Sequence, residues 1–280
     1  MAKTEDLIAV FDSGQGGISV LRELVRQMPR EHFLYFGDSA NAPYGSRPTQ
    51  QVRELTLDRI AMLMQRGLKA VVVACNTATG ATIDELRSRY PHTIIIGIEP
   101  ALKLAAEQST KGRIVVMATE VTLREKKFSA LMQRYQGSHD IVPLPCPKIV
   151  EFVERGVLEG PEPEAYLREV LLPCLNADTR AIVLGCTHFP FMRPLIARLA
   201  GPNIRIYDGG EGTAAQTRRR LEQETFFCPR GKAASSLKIL CRIPRSLPSA
   251  GCSCILRRMA YDVRMEGGYG PLYDGCLRTF

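Results

Sequence analysis

The chain has 280 residues, of which 45% are apolar and 24% charged, the balance of a folded globular protein rather than a disordered one. No apolar run approaches the roughly 20 residues of a membrane span, and no secretory signal precedes the first apolar run. Membrane association is therefore disfavoured, and a cytoplasmic location is the default expectation. The formal charge of +8 is unevenly placed: nine Lys and Arg against three Asp and Glu lie between Thr225 and Phe280. A nucleic-acid partner would have to rest on that tail, so this function class is disfavoured as well. Nine irregularly spaced cysteines form no disulfide framework and match no standard zinc spacing, so no metal site is expected.

In chain order, β-branched runs alternate with longer amphipathic segments. Strands are predicted at Leu7–Asp12, His32–Asp38, Ala70–Asn76, Thr93–Ile98, Arg113–Thr119, Asp140–Leu144, Ala181–Cys186 and Ile204–Tyr207. Helices are predicted at Thr49–Arg66, Leu123–Tyr135 and Glu164–Leu175. Runs such as Val71-Val72-Val73 and Ile94-Ile95-Ile96 lack polar alternation, as strands covered on both faces do. The fold class is α/β with mostly parallel sheets flanked by helices.

A weak internal repeat divides this pattern. The strand ending at Ser13 resembles the one ending at Thr119, and Ala70–Thr77 resembles Ala181–His188. Ser13 precedes Cys75 by 62 positions, and Thr119 precedes Cys186 by 67. Two pseudo-symmetric lobes follow, each presenting one cysteine at the carboxyl end of a strand, where parallel sheets hold ligands. We divide the chain into a first lobe of residues 1–98 and 208–224, a second of 99–207, and an atypical segment of 225–280.

Around these cysteines lie the chemically capable residues. Phe11-Asp12-Ser13-Gly14-Gln15-Gly16-Gly17 is a strand-to-helix turn in which glycines permit close backbone approach to an anion, or serve the turn alone. Cys75-Asn76-Thr77-Ala78-Thr79 places a thiol at a helix N-terminus, a position that favours thiolate, with amide and hydroxyl donors beside it; core filling is the ordinary alternative for a single such cysteine. Gly185-Cys186-Thr187-His188-Phe189-Pro190 repeats the arrangement with a nearby base. Asp38-Ser39-Ala40-Asn41-Ala42-Pro43-Tyr44-Gly45-Ser46 is a loop whose Tyr44 either closes over a ligand or is a surface aromatic. Glu154 reads first as part of a solvated helix face. Two Cys-polar-polar junctions at matching places in a repeat argue against core filling for both.

Together these motifs resemble the glutamate racemases, within the wider aspartate/glutamate racemase group. Phe-Asp-Ser-Gly-x-Gly-Gly, Ala-Pro-Tyr-Gly, Ala-Cys-Asn-Thr-Ala, Gly-Cys-Thr-His-Phe-Pro and Tyr-Asp-Gly-Gly occur in the family's order between about Ile8 and about Arg220. The resemblance implies a cofactor-independent isomerase interconverting L- and D-glutamate and supplying D-glutamate for peptidoglycan, with an active site between the lobes and no pyridoxal phosphate. It implies that Cys75 takes the α-proton from the D enantiomer and Cys186 from the L enantiomer, with Asp12 supporting Cys75 and His188 supporting Cys186. Asp12, Ser13, Pro43, Tyr44, Gly45, Asn76, Thr77, Thr119 and Thr187 would bind substrate. It also lends Glu154 a possible role and makes a homodimer plausible. The chemistry agrees: racemisation needs an acid and a base on opposite faces of one carbon, exchanging roles with direction, which two like groups satisfy. Competing readings are a racemase for aspartate or another small acid, a two-lobed binding protein without turnover, and a thiol hydrolase using Cys186 and His188.

Two departures stand out. Ala118-Thr119-Glu120 replaces a commoner Gly-Thr and adds a carboxylate. After Glu224 the family pattern stops, and no strand or helix is expected in 225–280, whose five cysteines and clustered arginines suggest a shifted reading frame and poor order.

Overall fold

The computed structural model describes residues 6–227 and Leu237–Cys241. The first unit runs β1 (Leu7–Asp12), α1 (Ile18–Gln27), β2 (Phe33–Gly37), α2 (Thr49–Met64), β3 (Leu68–Val73), α3 (Asn76–Arg89) and β4 (Ile94–Gly97). The second runs α4 (Leu102–Gln108), β5 (Arg113–Ala118), α5 (Glu120–Arg124), α6 (Lys126–Gln136), β6 (Asp140–Pro145), α7 (Pro147–Glu154), α8 (Pro161–Leu171), β7 (Thr179–Leu184), α9 (Arg193–Ala200) and β8 (Arg205–Asp208). The chain then returns through α10 (Gly210–Gln223), whose Ala214 and Leu221 join the core beneath α1, and ends in β9 (Leu237–Cys241).

All strand pairs are parallel, in the orders β4-β3-β1-β2-β9 and β6-β5-β7-β8. Within each sheet the first strand of the unit lies between the second and third, so β1/β3 and β5/β7 are equivalent switch points. The repeat extends to backbone detail. Ala74 donates to Phe11 O at 2.8 Å where Gly185 donates to Met117 O at 2.7 Å, and both first strands change register after their first residue.

Period-two alternation decides which face each apolar side chain takes. Ile8, Val10, Val72 and Ile96 pack under α1 and α10, whereas Ala9, Phe11, Val71 and Val73 pack against α2 and α3. The second sheet divides its side chains in the same way. Each fully buried aliphatic side chain stabilises this arrangement by about 1.5–3 kcal/mol relative to exposure.

Four expectations require correction. The helix expected over Leu123–Tyr135 is two helices: Glu125 is extended (φ −64°, ψ 130°) and its side chain accepts from Phe128 N at 2.9 Å, so it caps a new helix instead of continuing the old one. Cys75 and Cys186 lie beyond their strands, which end at Val73 and Leu184. Cys75 caps α3, whereas Cys186 lies in a turn before a short 3-10 helix at Phe189–Met192 that runs directly into α9. A strand does follow Glu224: Leu237–Cys241 pairs with β2 along its whole length, because the edge of the first sheet supplies the backbone partners. The tail's other expected features, its clustered arginines and suggested poor order, lie outside the described residues. Among the described residues no helix is long and apolar enough to cross a membrane.

Candidate active site

The carboxyl ends of the two sheets face each other, and the loops after β1, β2, β3, β5 and β7 meet between them. They enclose a cavity of about 10 Å³. Ser13, Pro43, Tyr44, Gly45, Cys75, Asn76 and Thr77 line it from the first lobe, and Thr119, Cys186, Thr187 and His188 from the second. Asp12 and Glu154 lie behind this wall. The space suffices for about one water molecule, less than an amino acid needs. Outside it opens a cleft of about 750 Å³, to which Glu120 contributes. Glu120 is exposed and pairs with Arg124 at 3.5 Å; it does not line the inner cavity.

Cys75 is buried, and its Sγ accepts from Ala78 N at 3.5 Å at the head of α3. The helix-terminus argument for a ready thiolate fails in this closed cavity: burial, and then the neighbouring charge of Asp12, push the thiol up to about 12. Asp12 is itself fully buried, accepting from Gly14 N at 3.0 Å and from Thr187 Oγ1 of the opposite lobe at 3.1 Å. Burial raises its carboxyl, and the His188 charge and loop N–H donors only partly oppose this.

Cys186 belongs to a relay. Its Sγ lies 3.7 Å from His188 Nδ1, and His188 Nε2 lies 2.7 Å from Glu154 Oε1. Burial alone lowers the imidazole, yet its bonds to Cys186 and Glu154 and their charges hold it well above the ordinary histidine range. Burial likewise opposes ionisation of Glu154, but His188 and Gln15 outweigh it and hold the carboxyl low. The solvated-face reading of Glu154 is thus overturned: the side chain bonds His188, Gln15 and Ser39.

The glycine-rich loop packs closely against the second lobe. A Cβ at Gly14 would sit 2.1 Å from Glu154 Oε1, and one at Gly16 would sit 2.4 Å from His188 Nδ1. Gly14 and Gly16 leave room for the second lobe's relay. Tyr44 is not a surface aromatic: it is 1% exposed, its ring lies 6.4 Å from that of Phe11, and its hydroxyl donates to Asp38 Oδ2 at 2.9 Å.

Two contributors were missed in the sequence. Thr122 lines the cavity and shares hydroxyl contacts with Thr77 at 3.2 Å and Thr119 at 3.0 Å, linking the lobes. Gln15 reaches Glu154 across 139 positions of chain. Only Thr122's place as N3 of the turn capped by Thr119 hints at its position. Among the described residues no group of three or more His, Cys, Asp and Glu is placed to hold a metal ion.

Comparison with known proteins agrees with this architecture. Residues 8–217 match the family model for Asp/Glu/Hydantoin racemase. Glutamate racemase of Clostridium botulinum (strain Alaska E43 / Type E3) is 49% identical over 235 residues, covering 84% of this chain and 91% of that protein. Among solved structures, a glutamate racemase isoform from Bacillus anthracis superposes with a TM-score of 0.82 at 27% identity, covering 98% of both chains. Escherichia coli glutamate racemase, solved with L-glutamate and an activator, UDP-MurNAc-ala, gives 0.79 at 27% identity over 91% of this chain and 95% of that one. With half of its matched length identical to a glutamate racemase and the same two-sheet architecture, the chain belongs to the Asp/Glu/Hydantoin racemase family.

Proposed function

We propose that the chain interconverts L-glutamate and D-glutamate without a cofactor, the α-proton leaving to one cysteine while the other delivers a proton to the opposite face. The observation that carries this reading is the convergence of Cys75 and Cys186, from equivalent places in two related lobes, on one closed cavity. The glutamate specificity rests on the relatives, among them the Escherichia coli enzyme solved with L-glutamate.

In this reading Cys75 takes the α-proton of D-glutamate and Cys186 that of L-glutamate. Asp12 serves Cys75, and His188, held by Glu154, serves Cys186. The donors that hold the substrate are the hydroxyls of Ser13, Thr77, Thr119 and Thr187 and the amide of Asn76, with Pro43, Tyr44 and Gly45 lining the site beside them. Donors on the α-carboxylate stabilise the charge that develops there as the proton leaves. Because one thiol must be protonated while the other is not, the cysteines titrate as a coupled pair. Closure around the substrate excludes water and so strengthens each of these interactions. The product D-glutamate would serve peptidoglycan synthesis.

Chiral chromatography of L-glutamate and, separately, L-aspartate incubated with the protein tests the substrate. D-glutamate forming much faster than D-aspartate supports the proposal. A preference for aspartate reassigns the substrate, and binding of glutamate without either product favours a binding protein.

A further inference from the structure

Gln15 occupies the position left open in the motif Phe-Asp-Ser-Gly-x-Gly-Gly, and the mechanism above gives it no task. It is 3% exposed, and its main-chain and side-chain donors all bond one residue. Its main-chain N–H donates to Glu154 Oε1 at 2.7 Å, and its side-chain Nε2 donates to Oε2 at 3.2 Å and to the Glu154 carbonyl at 3.4 Å. Since both side-chain partners are acceptors, the orientation of the amide is fixed by the network. Gln15 belongs to the first lobe, whereas Glu154 is the last residue of α7 in the second.

A carboxylate at a helix C-terminus faces the negative end of the dipole, so Glu154 needs donors from elsewhere. His188 supplies one from within its own lobe; Gln15 and Ser39 supply the others from across the cleft. Any parting of the lobes would remove these cross-cleft donors, and closure would restore them. Oε1 is bonded at once by Gln15 N–H and His188 Nε2, so the grip on the carboxylate also sets where the imidazole is held.

We propose that Gln15 is a cross-lobe positioning residue: it grips Glu154 in the closed cleft and thereby aligns the Glu154–His188–Cys186 relay only when substrate is enclosed. Proton transfer at Cys186 is thus coupled to closure, which guards the relay from solvent in the open form. This rests on the racemase reading of the site.

The test compares wild type with Gln15→Met, which keeps length and the main-chain bond to Oε1 but loses both side-chain bonds to Glu154, with Glu154→Gln, and with the double variant. Gln15→Met is expected to lower kcat about tenfold, the scale of a charge-assisted hydrogen bond, with KM within about twofold. The limb of the kcat profile set by the relay should move to lower pH, because a Glu154 carboxylate no longer held in place by Gln15 leaves His188 Nε2 without its aligned ion-pair partner. The titratable groups facing Glu154 and His188 in this pocket are Cys186 and Asp12, and both are unchanged in the variant. The double variant should be no slower than Glu154→Gln alone. An unchanged kcat overturns the proposal; so does a lower kcat with an unmoved pH profile and additive effects. If Gln15→Met does not fold, Gln15→Glu decides: activity should fall sharply near neutrality and recover as the paired carboxylates take up a proton on acidification, and a flat response overturns the proposal. If the wild type itself does not racemise, the function reading fails, and the imidazole N–H resonances of His188 in wild type and Gln15→Met still decide the alignment: a displaced Nε2 resonance supports it and identical spectra overturn it.

Discussion

One methyl group should disable the site. Gly16 carries an ordinary backbone, so alanine there meets no conformational strain; the obstacle is purely spatial. Its Cβ would lie 2.4 Å from His188 Nδ1 and 2.5 Å from Thr187 Oγ1, where ordinary contact begins at 3.4 Å. Something must retreat by about 1 Å, the difference between these distances. Neither neighbour is a loose chain end: Thr187 is tied to Asp12 and His188 to Glu154, both within the buried wall. A displacement of that size near reacting groups costs on the order of a hundredfold in rate, and overpacking costs about 1–3 kcal/mol of stability. Gly16→Ala should therefore show kcat reduced roughly a hundredfold and a lower urea midpoint. Gly137→Ala, with nothing within 4 Å of the added carbon, should match wild type in both. Full activity in Gly16→Ala would refute the reasoning, because it would mean the loop does not seat against His188 during catalysis.

The raised His188 and lowered Glu154 predict a pH window of stability. The histidine's contribution is full below the ordinary value of about 6.5 and is lost as pH rises through its raised value. The glutamate's contribution is present above the ordinary glutamate value and is lost as pH falls through the lowered one. The thermal midpoint of wild type should therefore decline on alkalinisation more steeply than that of His188→Asn, and parallel slopes would contradict the assignment. Cys75, pushed up to about 12, is thiolate to only about one part in ten thousand at pH 8. Iodoacetamide should alkylate it at least a thousandfold more slowly than free cysteine, roughly, on ionisation alone; mass spectrometry finding Cys75 among the early labelled sites would contradict its burial and its pKa.

The lobes and their cysteines were legible because both depend on local pattern: unbroken runs such as Val71-Val72-Val73 declare buried strands, and the Cys-polar-polar junctions follow them directly. Relations across the cleft were not. Glu154 looks like any acidic residue at a helix end, and only its approach to Gln15 and His188 gives it a task. The glycines after Asp12 announce close approach but not what approaches, and here it is the opposite lobe's relay. Strand β9 escaped notice because Leu237–Cys241 is short, lies in a basic, glycine- and proline-bearing stretch, and owes its conformation to the waiting edge of β2. The break at Glu125 was hidden in a pattern that stays helical on both sides, and the cap that makes it is a tertiary decision.

Two thiols sharing one α-carbon make a directly measurable demand on the α-hydrogen. Incubating the protein with L-glutamate in deuterium oxide, with no added cofactor, and following the α-position by NMR tests it directly. The account predicts α-deuterated D-glutamate from wild type and loss of racemisation in both Cys75→Ser and Cys186→Ser. Racemisation that survives either substitution, or D-glutamate formed with its α-hydrogen fully retained through many turnovers, would contradict it.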